Sequence, residues 1–534
     1  MKKKPVWIRI SLIAISIIFF IILAIPNAKA SENIAMVSMF EPDEGIMIPV
    51  IKSMTAPQES VKDFLYYFLL YGYYFYGFPF FASSALVTFP FQWLNQINNI
   101  QWLMLTLRQV ISVLPMILAL LLLVYMHDRF KTVRSVVLYL FLLLVPAIIS
   151  NGFWWHPDGI VLLLAVIVLY FLYTDAHKLG WRFLLAAFFC GILTATKLVG
   201  AYFFMAVAIA IIWGLVKKDV TWKKAILMSA AFIGIMFATF IASNPFLLIK
   251  SHRTLYINTF RKQTGLLSLG YGIVYNRGLK ASWPLMHQYY GEVVFLIATL
   301  GISVWNIIKK ETRLLHALIL AWFIPLTISI LTFSHFKYQY WLPVAIPLFA
   351  NWHTILPEKF KLNLKNISFR QVGQMILLIL FLIQFILFGV QSTRMLVERT
   401  FRKENSAEVI FYDLAMNQLE PLEGRSVFAY YDYRLYMPPK DNWATETSFE
   451  LLDYDFIQSR NFDVLFLLQQ RIRDYLNPNA VGVDPESFAR SQAFYQDAKD
   501  GTIEGYYLIF DHETALLYLR QDVCLRDFDP DICH

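Results

Sequence analysis

The chain has 534 residues, of which 58% are hydrophobic, 17% aromatic and only 16% charged, and its mean hydropathy is +0.52. Soluble domains carry roughly 25% charged residues, so this composition excludes a string of ordinary soluble domains despite a length that would hold several. The formal net charge of +8 sits in short Lys/Arg clusters between apolar runs, with no basic domain bearing an aromatic stacking face, so nucleic acid is excluded as a partner and the lipid bilayer is expected.

Residues 1–30 join Met1-Lys2-Lys3-Lys4 to an apolar stretch from Val6 to Pro26 and then Ala28-Lys29-Ala30. That stretch is nearer the roughly 20 residues of a span than the 7–15 of a signal core. It therefore reads as a retained first helix whose lysines hold its start in the cytoplasm. Further apolar runs predict spans near 108–126, 133–150, 158–173, 182–197, 199–216, 224–247, 289–308, 314–333, 340–356 and 373–391. The total is about eleven. In lipid they must be helices, because strand edges would leave backbone groups unpaired. The loops 127–134, 175–182, 217–224, 309–313 and 358–370 carry the Lys/Arg clusters, and on this count all lie on the side of Lys2–Lys4. That is the positive-inside pattern, and an odd number of spans puts the C-terminus outside.

Three segments fall on the outer side. The first loop, 26–107, contains the Tyr-rich stretch 59–94, read as helices lying along the interface because another span there would invert every later loop. The second, 248–288, is polar and carries Lys250, His252, Arg253, Arg261, Lys262, Arg277 and Lys280. The third is the tail, 392–534, where 426–433, 462–468 and 506–519 read as strands, the last as a hairpin. The expected fold is therefore mainly α: a polytopic transmembrane bundle over 1–391 with a small extracytoplasmic α/β domain behind it, in the plasma (inner) membrane. Of three cysteines, Cys190 lies in an apolar run, and Cys524 and Cys533 lie in the tail. The spacing leaves the tail pair open between a disulfide and two free thiols, and it forms no metal motif.

Two outer segments carry candidate chemistry. The first is Glu41-Pro42-Asp43-Glu44, three carboxylates in four positions beside a span. Such residues are expensive at a membrane surface unless water, a metal or a substrate meets them; the plainer alternative is a solvated acidic loop. The second is Trp154-Trp155-His156-Pro157-Asp158 between two spans. There the plainer alternative is an Asp capping a helix beside two interfacial tryptophans. Together, on one face, they outline a catalytic cavity.

This pattern resembles the GT-C superfamily of membrane glycosyltransferases, and within it the bacterial relatives of protein O-mannosyltransferases and aminoarabinose transferases. The matching features run in order: Asp43-Glu44 after the first span, interface helices at 59–94, and His156-Pro157-Asp158 where relatives often have Arg-Pro-Asp. Thr196-Lys197, Asn244-Pro245-Phe246 and the run from His335 through Lys337, Tyr338 and Pro343 to Pro347 follow. Tyr76-Gly77-Phe78-Pro79 stands where Lys/His-Pro-Pro is usual.

The resemblance implies an inverting transfer from a polyprenyl-phosphate-linked sugar to a hydroxyl on a glycan, lipid or protein acceptor outside the membrane. It places the general base at Asp43, with Glu44 beside it. His156 and Asp158 would orient sugar or acceptor, and Lys197, Lys337, Arg253 and Tyr338 would meet the lipid phosphate. For Arg253, as for Lys250, ordinary headgroup contact is the simpler reading. Glu44, His156 and Asp158 are suitable divalent-metal ligands, but their spacing does not require a metal, so metal dependence and cofactor use stay open. Three rival readings are a lipid-carrier flippase or transporter, for which inverted repeats are not evident, a lipid-linked glycan ligase or polymerase, and a structural or sensor protein, for which about eleven spans with acidic outer loops exceed what anchoring requires.

Overall fold

The computed structural model describes residues 6–309, 313–334, 336–357, 369–448, 452–529, 531 and 533. Lys2–Lys4, His335, most of the 309–313 cluster and most of the 358–370 cluster lie outside them. The chain forms two compact units. One comprises Met1–Ala28, Ile48–Gln263 and Arg277–Glu398; the other comprises Lys29–Met47, Thr264–Asn276 and Arg399–His534.

The first unit is helical. Seven helices in the described chain are long and apolar enough to cross a membrane, among them Val6–Lys29, Ile100–Asp128, Asp158–Asp175 and Trp222–Ala242. Two bent pairs add a crossing each if each pair counts as one: Val133–Leu143 with Pro146–Gly152, bent by 62°, and Gly278–Tyr290 with Val293–Ile308, bent by 83°. The sequence-derived total of about eleven also counts Trp181–Thr196, with 16 residues, and Tyr338–Phe349, with 12. Both are shorter than the roughly 20 residues of a straight crossing. The expected interface stretch is two helices, Val61–Leu69 and Phe78–Trp93.

Burial separates central helices from lipid-facing ones. Of the apolar window of Asp158–Asp175, 61% is buried, against 11% for Trp222–Ala242. The Asp158–Asp175 helix packs against Trp181–Thr196 and Leu114–Asp128. Buried tryptophans tie the core while satisfying their N–H groups: Trp322 donates to the Pro343 carbonyl at 2.8 Å and Trp352 to Thr299 Oγ1 at 2.7 Å.

The second unit is built on a five-stranded sheet. After a two-stranded ladder of β1 (Gly270–Tyr271) and β2 (Ile273–Val274) come β3 (Val427–Tyr431), β4 (Trp443–Glu446), β5 (Val464–Leu468), β6 (Tyr506–Asp511) and β7 (Ala515–Arg520). The order is β4-β3-β5-β7-β6, with β3 parallel to both its neighbours and β5, β7 and β6 antiparallel in turn. The expected strands are all present, and β4 joins them. Both faces are buried: Val464 and Phe466 pack into one apolar cluster, Leu465 and Leu467 into the other. That is why β5 reads as an unbroken apolar run instead of alternating. Cys524 and Cys533 form a disulfide.

Candidate active site

Asp158 opens the Asp158–Asp175 helix, directly after Pro157, whose fixed φ suits a helix start. A carboxylate in a first helical turn also faces the positive end of the helix dipole. The approach is set by the facing element. Residues Arg108–Val113 form a π-helical turn, a local irregularity found often at functional sites. From that turn Ser112 Oγ donates to the Trp154 carbonyl at 2.6 Å and accepts from His156 N at 3.2 Å. A Cβ on Gly159 would lie 2.5 Å from the Ser112 carbonyl oxygen, so only glycine allows this contact. Trp155 Nε1 donates to Ser84 Oγ at 2.9 Å, fixing the loop to the Phe78–Trp93 helix.

The second wall comes from the end of Trp181–Thr196, where Lys197 leaves the helix in an extended conformation. Gly77 N donates to the Thr196 carbonyl at 3.2 Å, and a Cβ on Gly77 would lie 1.6 Å from the Ala195 carbonyl oxygen. Asn244 Oδ1 accepts from Phe78 N at 3.0 Å. Three motifs far apart in sequence thus meet: Tyr76-Gly77-Phe78-Pro79, Thr196-Lys197 and Asn244-Pro245.

At their meeting point Lys197 Nζ donates to Asp158 Oδ1 at 2.7 Å, and its ammonium lies over the Tyr340 ring at 4.7 Å. His156 Nδ1 meets Asp158 Oδ2. The imidazole is stacked on Trp154 at 3.9 Å, and its Nε2 is 2.7 Å from Tyr76 Oη. Asp158 and His156 are 1% and 3% exposed. This buried carboxylate has one oxygen on an ammonium and the other on an imidazole. Its chemistry is to hold a cation and an imidazole in fixed positions. Of the ammonium's three donors, one is spent on Asp158, which leaves the group able to hold an anion.

The structure therefore brings together His156, Asp158 and Lys197, and adds Tyr76 and Tyr340, which the sequence reading did not single out. Lys337 precedes the Tyr338–Phe349 helix that supplies Tyr340, and it is half-buried. Tyr338 stacks on Tyr289 at 4.0 Å, and its hydroxyl accepts from Ser150 Oγ at 2.8 Å. Arg253 is exposed and turns back to donate to the Leu247 carbonyl at 3.1 Å, while Lys250 begins the same exposed helix.

Asp43 and Glu44 belong to the second unit. They stand in the first turn of Pro42–Thr55, where Pro42 and two acidic residues fit a helix start. The short helix before it, Ile34–Phe40, is capped by Asn33 Oδ1 accepting from Met36 N at 2.9 Å. Glu41 pairs with Arg399 at 3.4 Å, and the guanidinium lies over the Phe40 ring at 4.0 Å. Glu44 is fully buried and Asp43 half-buried. Among the described residues, no three His, Cys, Asp or Glu side chains are grouped to hold a metal ion.

No protein-family model and no curated protein matches the chain. Solved structures do. ArnT from Cupriavidus metallidurans bound to undecaprenyl phosphate superposes with a TM-score of 0.53 at 12% identity, covering 97% of this chain and 98% of that one. The Archaeoglobus fulgidus oligosaccharyltransferase in the apo form gives a TM-score of 0.55 at 11% identity, covering 95% of this chain and 80% of that one. The chain shares its fold with these two proteins over nearly its whole length, in line with the resemblance drawn from its sequence.

Proposed function

We propose that the chain is a membrane glycosyltransferase that moves a sugar from a polyprenyl-phosphate donor to an acceptor hydroxyl on the extracytoplasmic face, with inversion. The observation that carries this reading is the buried Asp158–Lys197–His156 cluster, set in a fold shared with a protein solved in complex with undecaprenyl phosphate. In the transfer, the acceptor oxygen attacks the anomeric carbon, the bond from that carbon to the phosphate oxygen breaks, and the phosphate leaves with the electron pair. The leaving group needs charge balance but no proton. Lys197, oriented by Asp158, supplies it. His156, held between Trp154, Tyr76 and Asp158, positions a sugar or acceptor hydroxyl.

Asp43 takes the acceptor proton. Of the acidic pair, it is the half-buried Asp43 that a bound acceptor reaches directly, since Glu44 is enclosed. Positioned general-base help is typically worth about 10²–10⁴ in rate. The test is turnover of radiolabelled polyprenyl-phosphate sugars by purified protein in nanodiscs with a crude envelope acceptor. Asp43→Asn is expected to lower kcat about 10²-fold or more while the protein stays folded. Full activity of both Asp43→Asn and Asp158→Asn would overturn the assignment.

A second reading, transfer of a preassembled lipid-linked glycan, is favoured by the likeness to an oligosaccharyltransferase over 95% of the chain. Replacing the monosaccharide donor by a lipid-linked oligosaccharide in the same assay separates the two.

A further inference from the structure

The Asp158–Asp175 helix also ends beside a basic pocket. With 18 residues it is about 26 Å long, so its C-terminus is far from the Asp158 cluster. There the first unit forms an open pocket of about 350 Å³ lined by Arg129, His177, Arg182, Lys217 and Arg313, with Tyr173, Trp213 and Leu314 in its wall. Four guanidinium or ammonium groups and an imidazole face one space, and no carboxylate lines it among the described residues.

Two of these cations are held in place by the backbone. Arg182 Nη1 donates to the Thr174 carbonyl at 2.8 Å, and Arg313 donates through Nε and Nη2 to the carbonyls of Ile307 and Ile308 at 2.7 and 2.8 Å. The Arg313 guanidinium lies 5.8 Å from the Trp213 ring. Fixed in this way, each keeps further N–H donors for a ligand. Arg129 and Lys217 are exposed cations at the rim. His177 Nε2 is 3.3 Å from Asp219 Oδ2, and its buried Nδ1 has no hydrogen-bond partner among the described residues. The other nearby carboxylate, Asp175, is spent on the Leu179 and Gly180 amides at 2.7 and 2.9 Å. Simple capping of helix ends explains Arg182 and Arg313. The positive-inside pattern places the loop cations on this side of the chain, but neither it nor capping requires that five basic groups face one space beside an aromatic wall.

We infer that this cavity is an anion site for a phosphate group, carried by a lipid headgroup or by a small phosphorylated solute. Guanidinium forks and an ammonium match phosphate oxygens, and the Tyr173, Trp213 and Leu314 wall suits whatever apolar or ring-bearing group the phosphate carries. The site stands apart from the proposed sugar-transfer chemistry and does not depend on it.

The test uses full-length protein in phosphatidylcholine nanodiscs and compares two probes: inorganic phosphate, and a dioleoyl phosphatidate doped into the bilayer. Binding is read by ³¹P NMR and native mass spectrometry. The variant is Arg129→Asn with Lys217→Gln; Asn suits the left-handed backbone at position 129, where φ is 52°. A control, Lys131→Gln with Lys223→Gln, removes the same charge from residues that do not line the cavity. We expect at least one probe to bind wild type and the control alike, and to lose about tenfold or more in affinity with the cavity variant. Binding of phosphatidate alone would assign a lipid headgroup, and binding of both a free phosphate. Equal losses in cavity and control variants, or binding of neither probe, would overturn the site.

Discussion

At the scale of single residues, the Asp158–Lys197 pair makes a sharp prediction. Removing one member of a buried ion pair leaves the other charge unpaired and costs about 3–5 kcal/mol. Lys197→Met should therefore lower the thermal midpoint in detergent, and Asp158→Asn added to it should recover much of that stability. Activity should not return, because the double variant lacks the cation for the phosphate. A double-mutant cycle read by both melting and turnover checks this, and recovery of turnover would remove Lys197 from the mechanism. Tyr76→Phe is milder. It deletes only the hydroxyl 2.7 Å from His156 Nε2, so turnover should fall by roughly tenfold with the melting point nearly unchanged, as expected for one positioning hydrogen bond. In the second unit, Arg471 donates to the wholly buried Asp432 at 2.7 Å. Arg471→Met should cost about 3–5 kcal/mol there by the same physics, detectable as faster hydrogen exchange in β5.

At the scale of elements, the site depends on two close backbone approaches. Gly77→Ala places a Cβ 1.6 Å from a main-chain oxygen, and Gly159→Ala places one at 2.5 Å. Neither neighbour is a flexible side chain that can swing aside. We expect both to reduce activity by more than tenfold, Gly77→Ala the more, with Lys197 displaced from Asp158; solved structures or cross-linking at 158 and 197 would show it. These contacts also explain what was legible beforehand. His156, Asp158 and Lys197 stand out in the sequence as polar residues in apolar surroundings, because burying them is costly and their presence needs a reason. Their meeting is not legible, since 39 residues separate Asp158 from Lys197. Tyr76 is hidden by its setting: among the many tyrosines of 59–94, no periodicity marks the one that reaches a histidine. The π-helical turn has no signature either, since Arg108–Val113, polar Arg108, Gln109 and Ser112 included, lies within a run that reads as one helix. In the tail, strands buried on both faces were visible as apolar runs. Four-residue β4, half-buried at its ends and exposed between them, gave no comparable signal.

At the scale of the whole molecule, the sequence legibly divides into a helical membrane part and a tail. The compact units follow a different line, because Lys29–Met47 and Thr264–Asn276 join the tail. Short packing contacts made across hundreds of residues are invisible to local pattern reading. Within this unit the Cys524–Cys533 disulfide closes a separation of nine residues. A loop of that size contributes about 2–3 kcal/mol by restricting the unfolded chain. Replacing both cysteines by serine should raise hydrogen exchange in β7 and leave the helical unit's protection unchanged.

The segment carrying Asp43 packs Ala30, Met36, Met39 and Phe40 against Val409 and Tyr436, and Asn33 donates to the Tyr436 hydroxyl at 3.3 Å. Its partners lie several hundred residues further along the chain. At about 5–20 residues per second, roughly 20–70 s pass between emergence of the segment and arrival of Val409. Throughout that interval the contacts that hold the segment of the proposed base to Val409 and Tyr436 cannot form, so the order of synthesis delays completion of this part of the molecule until the tail arrives.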